Sequence, residues 1–362
     1  MRVYYDYQIL CSQVYGGISR CFYELISRLN EKDSFEAVIK CTFSENRYFE
    51  KLLKKKAFPH YHWRIGELIK KVNKELAVKY LREDYDIIHP TGYDPYIFDC
   101  KEKKHKVVVT IHDMIQEKFS DGYYEGSAII TQKKRQIYEA DHIIAVSNNT
   151  KKDILNIYPD IPEDKITVIY HGKSTLSDES PEYEFMNGIP RRYILYVGQR
   201  YTYKNFNRFV EAMKPLLEDD PELNIVCAGG GGFKKNELEK IKPNADRFIQ
   251  KTVDDIELAY LYRNAICFVF PSLYEGFGLP ILEAFNCGCP VLLSNTSSMP
   301  EIGGDAALYY DPYNAEDIMD KVSIAVKEEN TREKLKKMGY IQANKFNWNI
   351  TSEKVWHCYN HV

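Results

Sequence analysis

Phe268-Val269-Phe270-Pro271-Ser272-Leu273-Tyr274-Glu275-Gly276-Phe277-Gly278-Leu279-Pro280-Ile281-Leu282-Glu283-Ala284-Phe285 is the stretch that decides the fold. An apolar run rich in β-formers ends at Phe270, a loop with two glycines follows, and Ile281 to Phe285 opens a helix. Gly276 and Gly278 let backbone N–H groups approach a ligand closely, and a helix start adds orphan donors and about half a positive charge. The order of strand, glycine loop and helix therefore reads as an anion site. Glu275 and Glu283 stand eight residues apart, one in the loop and one in the helix, so they can bracket a ligand from two sides. Carboxylates accept hydrogen bonds from hydroxyls, which suits a molecule with a diphosphate in its middle and sugar hydroxyls at both ends. Taken singly, Glu283 also fits a role at the helix dipole and the glycines a tight turn; both uses stay open at this point.

Outward from this stretch, apolar β-branched runs alternate with helical segments over the whole chain, as parallel sheets flanked by helices require. The fold class is α/β. Expected strands in the first half are Arg2 to Tyr5, Ala37 to Thr42, Ile87 to His89, Lys106 to Thr110, His142 to Val146 and Ile166 to Ile169. In the second half they are Tyr193 to Val197, Asn224 to Ala228, Arg247 to Ile249, Cys267 to Phe270, Val291 to Ser294 and Ala307 to Tyr310. The two halves are alike, and His171 to Arg192 between them has the polar, breaker-rich composition of a connection. The expected division is residues 1–172, a linker over 173–192, a second domain over 193–345, and a terminal helix over 346–362. Ligands of open parallel sheets bind beyond the carboxyl ends of strands. Gly16-Gly17, His89, His112-Asp113, Gly198 to Lys204, Gly229 to Gly232 and Tyr274 to Leu279 all fall there.

The chain of 362 residues carries 49 Lys plus Arg against 52 Asp plus Glu and is 44% hydrophobic, the composition of an ordinary globular protein. No apolar run approaches the ~20 residues of a membrane span, and the first residues lack the apolar block of a signal peptide, so a cytoplasmic location is expected. Nine Cys are scattered without metal or disulfide spacing, and Cys287-Gly288-Cys289 reads as packing. The charge is uneven: residues 51–82 hold ten Lys or Arg against Glu67 and Glu75, a net of +8. With Leu52, Phe58, Trp63, Ile65 and Leu68 among the lysines, this segment fits an anionic membrane surface or a solvated helical face. Nucleic acid is excluded as a partner by the acidic balance and the lack of a binding motif. Gly229 to Gly232 follows a strand, but Lys234 and Lys235 occupy the third-glycine positions of a dinucleotide fingerprint, which disfavours a nicotinamide cofactor.

The segment from Glu275 to Ala284, followed by Gly288-Cys289-Pro290-Val291 and Pro300-Glu301-Ile302, resembles retaining nucleotide-sugar glycosyltransferases of family 4, which have the GT-B fold of two Rossmann-like domains facing across a cleft. Gly16-Gly17-Ile18-Ser19-Arg20, Val108 to Asp113, Ala145-Val146-Ser147, Tyr196-Val197-Gly198 through Arg200 with Lys204-Asn205, and Leu258 to Ala265 follow in the family's order, so the resemblance covers nearly the whole chain. It implies that Glu275 contacts donor-sugar hydroxyls, Glu283 the nucleotide ribose, and the backbone of Gly276, Phe277, Gly278 and Leu279 the diphosphate. Arg200 and Lys204 match a basic pair on that diphosphate, Gly16 and Gly17 a glycine loop near the phosphates, and His112 an active-site histidine beside the donor sugar, with Asp113 as an orienting neighbour. Charge neutralisation by Arg200, Lys204 and the helix dipole implies that no metal or cofactor is needed. The implied reaction moves a hexosyl group, with GDP-mannose as the favoured donor, onto a lipid-linked or surface polysaccharide with retention at the anomeric carbon. A GT-B sugar-nucleotide epimerase and a non-catalytic nucleotide-sugar binding protein are the competing readings.

Overall fold

A computed structural model describes residues 1–14, 16–56, 63–119, 126–173, 176 and 179–362. The chain forms two units, Met1–Gly172 joined by Asn347–Val362, and Lys173–Phe346.

The first unit is built on β1 (Arg2–Tyr5), β2 (Glu36–Ile39), β3 (Ile87–His89), β4 (Lys106–Ile111), β5 (His142–Ala145) and β6 (Ile166–Val168), in the sheet order β2-β1-β3-β4-β5-β6. Every pairing is parallel, and Tyr5 lies level with Ile39 and His89, so the strands end together on one edge. Such strands are covered on both faces, which explains why they read as continuous apolar runs. Helix α1 (Gly17–Leu29) buries Phe22, Leu25, Ile26 and Leu29, the 3.6-residue stripe of an amphipathic helix. Helices α2 (Trp63–Tyr80) and α3 (Gly126–Glu139) flank the same unit. β2 stops at Ile39, short of the expected Thr42, because the Thr42 and Phe43 N–H groups turn to the Asn73 side chain, at 2.8 and 3.4 Å. Residues 57–62, and with them Phe58, lie outside the described residues, as do the side chains of Trp63 and Arg64.

The second unit carries β7 (Tyr193–Val197), β8 (Asn224–Ala228), β9 (Phe248–Lys251), β10 (Cys267–Phe270), β11 (Val291–Ser294) and β12 (Ala307–Tyr310), all parallel, in the order β12-β11-β10-β7-β8-β9. Helix α4 (Phe206–Asp219) buries Phe206, Phe209, Val210, Met213, Leu216 and Leu217 in one core cluster with Ile194, Tyr196, Ile225 and Cys227. Truncating Phe209, which is fully buried, to alanine costs about 3–5 kcal/mol on general grounds. Helices α5 (Lys235–Ile241) and α6 (Leu279–Asn286) follow β8 and β10. Cys287 and Cys289, just after α6, are both buried.

Two boundaries differ from expectation. Residues from Lys173 onward belong to the second unit, and the stretch expected as a linker contains a helical turn, Tyr183–Asn187; positions 174, 175, 177 and 178 lie outside the described residues. At the other end Phe346 stays with the second unit, its carbonyl accepting the Lys173 N–H at 3.1 Å. The last helix, α7 (Trp348–His361), starts two residues later, where the Asn347 side chain caps the Asn349 N–H at 2.8 Å. It packs on the first unit: Asn349 meets Arg28, Glu353 meets Lys32, and the Tyr359 hydroxyl bonds to Tyr5 at 2.9 Å and His89 at 2.6 Å.

Candidate functional site

In the second unit the glycine loop stands where the sequence placed it, between β10 and α6. Gly278 is the residue before the helix, with φ +98°, a left-handed conformation that disfavours any side chain, and a Cβ there would lie 2.8 Å from Ile281. Glu275 is buried, and its carboxylate accepts from Lys204 Nζ at 2.6 Å. The Glu275 N–H donates to Ser297 Oγ at 3.1 Å. Its carbonyl accepts from Ser297 and Ser298 at 2.6 and 2.8 Å, and Ser298 also reaches the Phe277 carbonyl at 3.1 Å. These two serines, just past β11, hold the loop backbone at Glu275 and Phe277. Phe277 is anchored by its ring, which meets Phe346 edge-on at 5.9 Å. Glu283 lies in the second turn of α6 and is buried, so it stands beyond the first turn where a helix-dipole partner sits. Lys204 ends a 3₁₀ turn and is held by Asn205, at φ +57°, whose amide donates to the Pro312 carbonyl at 2.7 Å.

Arg200 is placed differently from expectation. Its side chain is only 2% exposed, and Nε donates to the Glu237 carboxylate at 3.0 Å. Nη1 reaches the Gly229 carbonyl at 3.2 Å, and Nη2 those of Gly230, Gly231 and Gly232 at 3.2, 2.8 and 3.0 Å. Gly229, Gly230 and Gly231 all have positive φ, and a Cβ at Gly230 would lie 2.6 Å from Arg200 Nη1. The tetraglycine therefore wraps the Arg200 guanidinium, which here is engaged by Glu237 and glycine carbonyls and not held open as the diphosphate role expected of it would suggest. Lys204 is the cation that remains beside Glu275.

In the first unit, β4 delivers His112. Its backbone N–H donates to the Tyr93 hydroxyl at 3.1 Å, its ring stacks on His171 at 5.7 Å, and its buried Nε2 has no hydrogen-bond partner among the described residues. Burial pushes the imidazole down to about 4, so His112 is neutral at pH 7. Asp113 does not orient that ring: its carboxylate accepts the Ile115 N–H at 3.1 Å and faces Lys133 Nζ at 3.6 Å. Lys133, fully buried, also reaches the Asp113 carbonyl, Gln116 and Glu117, and so ties down the whole loop after β4. Gly16 and Gly17 stand at the start of α1. Gly16 is extended, and the Gln13 side chain packs over it, Oε1 lying 2.3 Å from where a Cβ would stand. His89 is part of the core, held by Tyr359 and by Thr110 Oγ1 at 2.8 Å.

His112 opens onto a cavity of about 710 Å³ within this unit, whose wall includes Tyr7, Gln8, Thr91, Tyr93 and three lysines of α2. Buried Asp6 shapes it, accepting from Thr91 Oγ1 at 2.6 Å and from the Gln8 amide at 2.7 Å. Lys133, Glu237 and Asp6 are not legible as organisers from the chain alone, since the key partners Glu117, Arg200 and Thr91 lie 16, 37 and 85 residues away. Ser297 and Ser298 were within reach, because they follow a strand end as the other site residues do.

Two parallel six-stranded units, with a glycine loop, a helix start and a Lys–Glu pair at a strand end, are the architecture expected of a glycosyltransferase of the GT-B fold. The family model described as Glycosyltransferase Family 4 matches residues 15–175, and that described as Glycosyl transferases group 1 matches residues 180–342. The chain is 30% identical over 304 residues to O-antigen chain mannosyltransferase B of Escherichia coli, covering 76% of this chain and 79% of that one. It belongs to this glycosyltransferase family. To the serotype-specific mannosyltransferase WbdA of Escherichia coli it is 26% identical over 269 residues, which is 68% of this chain and only 32% of WbdA. Among solved structures, Anabaena Alr3699/HepE in complex with UDP and glucose superposes with a TM-score of 0.74 at 16% identity, over 100% of this chain and 99% of that one. Among the described residues no helix is long and apolar enough to cross a membrane.

Proposed function

We propose that the chain transfers a hexosyl group, mannosyl from GDP-mannose being the first choice, from a nucleoside-diphosphate sugar to a hydroxyl of a growing surface polysaccharide or lipid-linked glycan, with retention of configuration. The observation that carries the donor half is the Lys204–Glu275 pair, 2.6 Å apart, beside the loop that leads into α6. Glu275 takes hydrogen bonds from sugar hydroxyls, while Lys204 offsets its charge and faces the anionic leaving group. Negative charge grows on the nucleoside diphosphate as the glycosidic bond breaks. A fixed cation and the N–H groups of Gly276 to Leu279 bind that charge more tightly in the transition state than in the ground state. Glu283 serves the ribose. His112, neutral at pH 7 and part of the cavity wall, is the group we assign to a sugar hydroxyl on the acceptor side. The mannosyl choice draws on the O-antigen mannosyltransferase at 30% identity.

The same reading places the work at the cytoplasmic face of a membrane, without a metal ion. Ile65 and Leu68, 50% and 61% exposed on α2, are the apolar residues that would touch an anionic surface. Flotation with phosphatidylglycerol vesicles at low and high salt tests that contact, and no co-flotation at either salt retires it. For the donor, thermal shift of wild type and Glu283→Ala against GDP-, UDP- and dTDP-sugars is the test. Stabilisation by one nucleotide, lost in the variant, supports the site and names the base; stabilisation by none removes it.

A further inference from the structure

The basic residues of the 51–82 segment do not all face outward. Helix α2 buries Ile69, Asn73 and Ala77, and Asn73 fixes its rotation: the side chain accepts the Thr42 N–H and donates to the Phe43 carbonyl, both at 2.8 Å. At about 100° per residue, Lys70, Lys74, Glu67 and Lys71 then fall within an arc of about 100°. All four line the cavity of about 710 Å³ that also holds His112, Tyr7 and Tyr93. Leu68 and Ile65 lie outside that arc, about 60° and 120° past Lys71. Apolar residues and these lysines thus occupy separate faces, and the lysines belong to the cavity.

Aromatic faces and side-chain amides on one side suit a sugar, and three ammonium groups on the other suit an anion. We propose that this cavity binds an acceptor carrying a phosphate ester close to the sugar that is glycosylated, with Lys70, Lys71 and Lys74 holding the phosphate oxygens. The inference rests on the glycosyltransferase reading of the site and names the class of its acceptor. Lys70 lies 2.9 Å from Glu67 and Lys74 lies 2.7 Å from Asp94, both pairs partly exposed, and pairs of that kind add little net stability. Asp94 is itself tied to the Tyr96 N–H at 3.2 Å, so the flexible lysine stems are the parts that move to a phosphate. Lys71 has no ion pair among the described residues.

The test is calorimetric titration of the full chain, its donor site saturated with GDP, with octyl α-mannosyl phosphate and with neutral octyl α-mannoside. Wild type is expected to bind the phosphodiester at least tenfold more tightly. In a Lys70→Gln/Lys71→Gln/Lys74→Gln variant the difference should fall below threefold, while Lys79→Gln, an exposed lysine of α2 outside the cavity wall, retains it. Equal binding of the two probes by wild type, or discrimination that survives the triple substitution, overturns the inference. Phosphatidylglycerol vesicles form a separate arm: triple-sensitive binding to vesicles with none to the soluble phosphodiester assigns the lysines to a lipid surface and overturns it too. Release of nucleoside diphosphate from the donor is followed in parallel. If that release is absent while phosphate discrimination holds, the transferase reading falls and the anion site stands.

Discussion

Arg200→Ala separates a structural cation from a catalytic one. The side chains of Arg200 and Glu237 are 2% and 6% exposed, so the substitution leaves a buried carboxylate without its countercharge and four glycine carbonyls without their donor. Removing one partner of a buried ion pair costs about 3–5 kcal/mol, a large part of the 5–15 kcal/mol that holds a typical domain together. With a urea slope of about 2 kcal/mol/M, the midpoint of the second unit should fall by about 1.5–2.5 M. Trp63, Trp348 and Trp356 are the chain's three tryptophans and all belong to the first unit, so their fluorescence serves as an internal control. Hydrogen exchange of peptides spanning 224–241 against urea reports the second unit. Arg200→Met with Glu237→Leu removes both charges together and should recover part of the loss. A midpoint within 0.3 M of wild type, roughly 0.6 kcal/mol at that slope, combined with a turnover loss of 100-fold or more, would place Arg200 on the diphosphate and refute this reasoning.

Lys204→Ala should do the reverse, cutting turnover about 10²–10³-fold with a smaller stability loss than Arg200→Ala, because a fixed donor on the leaving group is worth about 3–4 kcal/mol in the transition state; steady-state kinetics beside a urea melt checks it, and wild-type turnover removes the role. His89, His112 and His171 are held down by burial to about 3, about 4 and about 3. Unfolded imidazoles near 6.5 take up protons that these refuse, so their stabilising contribution is complete above about pH 6.5 and is lost as pH falls towards 4. Tryptophan-detected urea midpoints should drop from pH 7 to 5, and a flat profile in wild type speaks against it. Turnover should stay within twofold in EDTA, whereas loss restored by magnesium or manganese would contradict charge neutralisation by Lys204 and α6.

Much of the fold was legible because both sheets are parallel and buried: seven of the twelve strands begin and end as the apolar runs predict, among them β1, β7 and β10. Tertiary partners moved the other edges. β2 is cut short by Asn73, more than thirty residues along the chain, and the last helix begins where Asn347 can cap it. The glycine loop at 275–279 was legible as well, since its chemistry is local. Arg200 and Lys204 look equivalent in sequence, both basic and both just past β7. Only the fold shows that one meets Glu237 and a tetraglycine while the other meets Glu275. Lys70, Lys71 and Lys74 were visible as charge but not as cavity wall, because the rotation of α2 is set by the burial of Ile69, Asn73 and Ala77 and by Asn73's bonds to Thr42 and Phe43.

The most direct test of the central claim is proton NMR of the product formed from GDP-mannose and the octyl α-mannosyl phosphate acceptor. One new α-mannosidic anomeric signal should grow in step with GDP release in wild type and be lost in Lys204→Ala. A β-linked product would contradict retention, and donor turnover to free mannose or an epimerised sugar nucleotide, with no new glycosidic bond, would contradict the transferase itself.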